Sequence, residues 1–377
     1  MNKKKKDRFQ HITEGETKLF VYPSEKDNKG PGKKQGLPFY NPSMEMNRDI
    51  SITILQHLVD TAKQPIFVLD GLASSGIRGV RFLHEVDGQF HVTINDWSDE
   101  AFFLIKKNTK GISKQLVTRT HANIHTLLAE NQYHYIDIDP FGSPAPYIDS
   151  ALRSIKNNGI IALTATDTAT LCSVYPIVCN RRYNAIPIHG PCMHEVGLRI
   201  LIGFIGRQAG KYDKGINPIF SYSSDHYMRS YIQINKSVKK ANETQEQISL
   251  IPANKIPGQK KQSEKGIGPL WVGTLHNQSI LQKIKNITDT KTLNTKKQMM
   301  HLYDICLKEA AMPPFYFSTN TLSKTFKTSP PSREVLFQHM MNQGYAICQT
   351  QFDPTGFKTD ASSEIVEDLF LHITRKK

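Results

Sequence analysis

From Pro65 onward, short apolar runs alternate with amphipathic stretches. Ile66 to Leu69, His91 to Ile94, Val117 to Thr120, Tyr133 to Asp139 and Ile160 to Thr166 read as strands. Ile77 to Glu85, Asp99 to Asn108, Ile124 to Glu130 and Ala145 to Lys156 read as the helices between them. This βαβα alternation predicts an α/β fold, a parallel Rossmann-like sheet covered on both faces. Ahead of it, S-M-E-M-N-R-D-I-S-I-T-I-L-Q-H-L-V places Met46, Ile50, Ile54, Leu55 and Leu58 on one helical face, with Asn41-Pro42 as the start signal. Behind it, the segment from Met193 reads as a long amphipathic helix. Ile219 to Tyr222 and Tyr227 to Ile234 read as antiparallel strands that close the sheet.

Residues 1 to 38 are rich in Lys, Gly and polar residues and predict an extended arm over the body of the domain. Residues 236 to 265 are polar with few apolar anchors and predict a linker. The expected division is therefore a catalytic domain over 1–235 including the arm, a linker over 236–265, and a smaller α+β domain over 266–377 that opens on G-P-L-W-V-G. In that last domain Thr321 to Thr325 and Arg333 to Met341 predict two short helices separated by Pro330-Pro331. A hairpin through Tyr345 to Phe352, the turn D-P-T-G and Phe357 onward follows them. Helix, turn, helix, hairpin is the winged-helix order, which serves nucleic-acid binding or plain packing.

Charge changes the picture more than length does. Across 377 residues Lys and Arg outnumber Asp and Glu by 14, which points to a polyanionic partner, nucleic acid before an acidic membrane. Five cysteines without paired spacing argue against a secreted disulfide framework and for the cytoplasm. No apolar run reaches the length of a membrane span, and Lys3 to Lys6 are followed by polar residues rather than a signal-peptide core. Cys172, Cys179, His189, Cys192 and His194 lack the close pair of a structural zinc site, so no metal is expected.

The candidate chemistry sits at strand ends. In Y-H-Y-I-D-I-D-P-F-G-S-P-A-P the Pro140, Gly142, Pro144 and Pro146 series halts a buried strand. At the carboxyl end of a parallel sheet, that halt leaves the Asp139 carboxylate, the Pro140 carbonyl and the Phe141 ring on a ligand crevice. Acid and carbonyl can accept hydrogen bonds from an exocyclic amine while the ring stacks on its base. Asp-Pro-x-Gly is also a common type I turn, so alone it leaves turn and site both open. D-G-L-A-S-S-G after the first strand lets a ligand approach the backbone, though it is not the dinucleotide fingerprint G-x-G-x-x-G. Asp96, at the tip of the second strand, is placed either to accept both ribose hydroxyls of an adenosine moiety or to cap the next helix.

With these residues assembled, the sequence closely resembles the archaeal tRNA (guanine(26)-N2)-dimethyltransferases. The matching stretches are F-Y-N-P-S-M-E-M-N-R-D, A-S-S-G-I-R-G-V-R-F, D-I-D-P-F-G-S-P, T-A-T-D-T-A-T-L-C, M-H-E-V-G-L-R, D-H-Y-M-R, G-P-L-W-V-G and F-D-P-T-G-F-K-T, from about Phe39 to Thr359. The resemblance implies a class I methyltransferase fold, S-adenosylmethionine as donor, tRNA as partner with no obligate protein partner, and a C-terminal domain particular to the family. It implies Arg48, Arg78, Asp96, His121 and Ala122 at the donor, Asp139 as catalytic acid/base, and Phe39 and Phe141 flanking the target guanine. Two features depart from the pattern. His121-Ala122-Asn123 stands where relatives carry Asp-Ala-Asn, and residues 236 to 267 lack the paired cysteines that hold zinc in some relatives. A catalytically idle tRNA-binding or chaperone protein on the same fold is the alternative that these residues leave open.

Overall fold

Pro140 cannot donate to a sheet ladder, and the strand before it ends at Ile138. That strand is central to the molecule. The computed structural model describes residues 9–23, 38–224, 226–259 and 266–375. Its main sheet has seven strands: β3 (Ile66–Asp70), β4 (Phe90–Asn95), β5 (Val117–Thr120), β6 (Tyr133–Ile138), β7 (Ile155–Ala165), β8 (Lys214–Ser224) and β9 (Tyr227–Lys236). Their spatial order is β5-β4-β3-β6-β7-β9-β8. The five strands β5 to β7 run parallel, and β9 lies antiparallel between β7 and β8. Chain order reverses between β3 and β6, which makes the carboxyl ends of those two strands the expected ligand crevice.

Two cores sandwich this sheet. On one face α4 (Ile124–Glu130), α5 (Ile148–Ser154), α6 (Thr168–Leu171), α7 (Pro176–Tyr183) and α8 (Met193–Gly210) bury Leu128, Leu152, Leu171, Cys179, Leu198 and Leu201. On the other, α1 (Glu45–Thr61) and α2 (Ile77–Glu85) bury Ile50, Ile54, Val80 and Phe82. Asn41 caps a single 3-10 turn at Pro42–Met44, accepting the Ser43 N–H at 3.0 Å, and α1 follows from Glu45. The helix α3 (Asp99–Asn108) has the bounds that its pattern predicts.

The structure departs from the sequence reading in two places. Within the expected extended arm, Gln10–Glu14 (β1) and Thr17–Val21 (β2) form a hairpin, with Leu19 and Val21 packed against Ile77. The rest of the arm, 1–8 and 24–37, lies outside the described residues. The expected linker holds α9 (Val238–Glu246) and β10 (Ile248–Ile251), and β10 pairs with β11 (Ile267–Trp271). Leu270 and Trp271 belong to the α8 core, and a Cβ on Gly203 would stand 3.0 Å from the Trp271 nitrogen. Glycine there is what lets helix and strand meet. Leu281 and Ile284 of α10 (Gln278–Thr290), with Tyr303 and Cys306 of α11 (Lys296–Glu309), complete the core under α1. Few apolar residues suffice for 236–265 because α9 lies against α8 and β8, with Thr244 accepting the Ile216 N–H at 2.9 Å, while β10 takes its partner from 267–271, which the expected division assigns to another domain.

A separate core begins near Phe317. It unites α12 (Thr319–Phe326), α13 (Arg333–Asn342) and α14 (Ser363–Arg375) through Leu322, Leu336, Met340, Val366 and Phe370. Its sheet, in the order β12-β14-β13, is built from Phe317–Ser318 (β12), Ile347–Gln349 (β13) and Gly356–Thr359 (β14). The predicted helix, turn, helix, hairpin order is present, with α14 added.

Candidate active site at the sheet switch point

A cleft of about 660 Å³ opens where β3 and β6 part, and Phe39, Arg48, Arg78, Asp96, Asp139 and Phe141 all line it. Its floor is the small-residue loop after β3. Gly76, at φ +77°, turns that loop into α2, whose N-terminus carries no side-chain cap. Any other residue at that φ would be strained. Uncapped N–H groups at a helix start favour a ligand with acceptor atoms. Ser75 Oγ on the same loop is buried without a partner among the described residues.

Asp96 is fixed by the backbone on both sides: Oδ2 accepts the Ser74 N–H at 2.7 Å and Oδ1 the Ser98 N–H at 2.9 Å. Capping of α3 falls to Ser98, whose Oγ accepts from Ala101. The Asp96 carboxylate is thus held rigidly at the wall of the cleft. His121 and Ala122 are not among its lining residues. His121 Nε2 meets the Trp97 carbonyl at 2.8 Å and its ring stacks on Phe102 at 5.1 Å, while Ala122 donates to Asn95 Oδ1 at 3.2 Å.

The two arginines are both engaged. Arg48 grips Glu14 of the hairpin with two bonds of 2.5 and 2.7 Å, and a third reaches the Asn41 carbonyl at 3.0 Å. Burial pushes the Glu14 carboxyl up, but Arg48 and Arg81 outweigh it and hold it below the ordinary range. Arg78 donates to Asp139 Oδ2 at 2.6 Å and to Ser51 Oγ at 2.7 Å, with its Nε 3.3 Å from Asp137. Asp139 is the member of this set that reaches solvent, with its side chain 22% exposed.

The loop carrying Asp139 is pinned at its far end. Gly142 donates to Thr166 Oγ1 at 2.6 Å and accepts from the Thr166 N–H at 3.0 Å, and Ser143 meets Tyr183 at 2.7 Å. Phe141 is left 54% exposed, its ring 6.1 Å from Phe39 at 51°. Ser74 Oγ anchors the Phe39 carbonyl at 2.9 Å. A rigid acid beside two projecting rings can hold a planar base that carries an amine.

Sequence reasoning missed several lining residues. Asp70, at the carboxyl end of β3, is pushed up to about 7 by burial, against the pull of Arg78. Its position after a buried strand is the signal that identified Asp96, and it could have been found that way. His226, in the turn before β9, and Tyr227, its first residue, come almost ninety residues after Asp139, and no local pattern marks them. The five cysteines are free and buried, and Cys172 Sγ lies 3.6 Å from His194 Nδ1. Among the described residues, the group of three potential metal ligands that converges is a different one, His276, Cys306 and Glu309.

The apolar walls, the rigid Asp96 and the bare α2 start fit an adenosine-bearing ligand with an anionic tail. Residues 24–371 match the family model described as N2,N2-dimethylguanosine tRNA methyltransferase. The tRNA (guanine(26)-N(2))-dimethyltransferase of Pyrococcus abyssi is 36% identical, covering 94% of this chain and 96% of that one. Its namesake in Methanobrevibacter smithii is 34% identical over 88% and 90%. The solved structure of Trm1 from Pyrococcus horikoshii with S-adenosyl-L-methionine superposes with a TM-score of 0.85 at 33% identity, covering 96% of this chain and 99% of that one. The chain therefore belongs to the N2,N2-dimethylguanosine tRNA methyltransferase family.

Proposed function

We propose that this protein transfers methyl groups from S-adenosylmethionine to the exocyclic N2 of guanosine 26 in tRNA, giving N2-methyl- and N2,N2-dimethylguanosine. The observation that carries the assignment to this site is the Asp139 carboxylate lining one cleft with the facing rings of Phe39 and Phe141 and with the fixed Asp96. Asp96 and the loop 71–76 hold the donor, with Asp96 on its ribose hydroxyls. When bound, S-adenosylmethionine would supply an electrophilic methyl group whose bond to sulfur breaks as the bond to nitrogen forms, so that S-adenosylhomocysteine leaves with the electron pair.

The guanine amine is a poor nucleophile because its lone pair is delocalised into the ring. Asp139 accepts hydrogen bonds from the amine, fixes its orientation and takes up the proton that it loses as the new N–C bond forms. Arg78 occupies Oδ2, which leaves Oδ1 for the amine. A base buried in folded tRNA must first be extruded. Stacking on both faces needs roughly 7 Å between rings, twice the ~3.4 Å base repeat. Phe39 and Phe141 stand at 6.1 Å and tilted, so they part slightly as the base enters. The C-terminal unit supplies tRNA affinity through exposed cations such as Lys324 and Lys327, and the protein works in the cytoplasm with its substrate. Among the described residues no helix is long and apolar enough to cross a membrane.

The test is nucleoside analysis of tRNA incubated with labelled donor. Asp139→Ala should lower turnover by about 10²- to 10⁴-fold with donor affinity nearly unchanged. Asp139→Asn keeps an acceptor but cannot take a proton, so an equal loss supports proton transfer and near-normal turnover leaves only positioning. Retained tRNA binding by the wild-type protein with no methyl transfer would favour the idle tRNA-binding reading instead.

A further inference from the structure

Beneath Asp139 lies a second acid that the chemistry above does not use. Asp137, two residues earlier on β6, is 1% exposed, and Arg229 on β9 is fully buried against it. Arg229 Nη2 reaches Asp137 Oδ2 at 2.5 Å and its Nη1 reaches Oδ1 at 3.2 Å, while Tyr135 donates to Oδ2 at 3.1 Å. The same guanidinium donates to Thr164 Oγ1 at 2.8 Å and to Ser51 Oγ at 3.1 Å. Ser51 Oγ is also the acceptor for Arg78. All three nitrogens of Arg78 are thereby assigned: Nε faces Asp137, Nη1 is held by Ser51, and Nη2 carries Asp139.

We propose that Asp137, backed by Arg229, is a positioning residue for methyl transfer: it orients Arg78 so that Arg78 presents Asp139 with one oxygen free to take the amine proton. This inference rests on the role given to Asp139 above. The physical case is that a buried ion pair is a poor source of stability relative to apolar packing, so a four-membered charged set here calls for another role. Arg78 and Arg229 balance Asp137 and Asp139, with a single exit to solvent at Asp139. Removing the negative charge of Asp137 leaves the two arginines with Asp139 and the buried Asp70 as the acids around them, which favours the ionised form of Asp139 and makes it a weaker base.

Single-turnover methylation of tRNA, followed against pH, reads this directly. The other ionisable groups around the set are Asp70 on β3, Tyr135 on β6, and His226, Tyr227 and Tyr231 at β9, and all of them are retained in the variants. Asp137→Asn should lower the rate constant on the order of 10²-fold and move the acid limb of the profile down by roughly one pH unit. Donor affinity by calorimetry and the KM for tRNA should stay within about two-fold of wild type. Combining it with Arg229→Met restores charge balance and should return the limb to its original pH. A wild-type rate and limb in Asp137→Asn would overturn the proposal, and so would a lower rate with an unmoved limb and equally weakened donor binding. If Asp137→Asn does not fold, Arg229→Lys decides. It keeps both charges but loses the fork, so the rate should fall about ten-fold with the limb in place, and an unchanged rate refutes the proposal. Normal turnover in Asp139→Ala would refute the role of Asp139 itself, which is a distinguishable failure.

Discussion

Lys358 on β14 provides the sharpest stability test, because it joins the C-terminal unit to the catalytic body by charge. Its ammonium is 2.7 Å from Glu195 Oε1 on α8 and 3.8 Å from Glu309 Oε1 on α11, with all three side chains nearly inaccessible. Glu195 also accepts from Arg199 and from the Phe315 N–H, both at 2.9 Å. Burial pushes Glu195 up, yet Lys358 and Arg199 hold it below the ordinary range, whereas burial of Glu309 wins over Lys358 and leaves it raised. Two cations thus face two anions. Lys358→Met keeps the aliphatic length and removes one cation, so one buried carboxylate is left uncompensated.

Breaking a buried pair in this way costs about 3–5 kcal/mol. If the unit opens at β14, native-state hydrogen exchange of the 356–359 amides should accelerate by roughly 10²- to 4 × 10³-fold, at about 1.4 kcal/mol per decade. The loss should depend on pH with a definite sign. Glu309 has a raised folded pKa and binds its proton more tightly folded than unfolded, so its contribution falls as pH rises through that raised range. The deficit of Lys358→Met should therefore shrink on acidification, and Glu309→Gln in the same chain should recover most of it. A loss under about 1 kcal/mol, or one that Glu309→Gln does not relieve, would show that the carboxylates are not ionised as argued.

Two further outcomes are expected. Lys324→Glu with Lys327→Glu should weaken tRNA binding and reduce the slope of log affinity against log salt by about 1 per lost phosphate contact, with donor binding unchanged; an unaltered slope would make this unit a packing module. His276 is pushed down to about 3 by burial, then by Lys358 and Arg199, so it stays neutral when folded. The stability this gives is full above the unfolded histidine pKa of about 6.5 and is lost at up to roughly 1.4 kcal/mol per unit as pH falls toward 3. His276→Gln should therefore gain stability relative to wild type as urea denaturation is repeated from pH 6.5 down to 4.5, and parallel curves would refute the shift.

The sheet from β3 to β9 was legible because each strand and helix carries its own period and its own stop, as Pro140 does for β6. The cleft was legible for a related reason. Strand ends are where an acid has no packing role, so Asp96 and Asp139 stood out. Contacts between distant segments were hidden. Nothing near Glu14 announces that it will be buried against Arg48 and Arg81, and nothing near Asp49 announces Thr295, which is 246 residues away. The polar stretch 236–265 reads as a linker because the apolar surface it lies on comes from other segments, α8 and β8 before it and Leu270 and Trp271 after it. Arg229 sits in a strand whose charge would ordinarily be read as solvent-facing, and only the placement of β9 beside β7 buries it under the acid of β6.

The charge distribution also explains how one protein can attract a polyanion and still handle an amine. The whole chain carries a net +14, which draws phosphate to its surface, while the cleft gathers Asp70, Asp96 and Asp139 together with Arg48 and Arg78, both already held in ion pairs. An acid cleft in a basic body would repel the backbone of the RNA but not its bases, so phosphate stays at the rim and an extruded base meets the carboxylates. That separation would fail if the cleft were open to many charges at once. Arg78 and Arg229 prevent this by neutralising the acids below Asp139. Of the Asp139 carboxylate, Arg78 holds Oδ2, and Oδ1 is the oxygen that the proposed reaction would turn to the base. On the role proposed for Asp139, the arginines would bear on selectivity as well as on rate, since the amine of guanine can donate to that oxygen and a phosphate or carbonyl cannot.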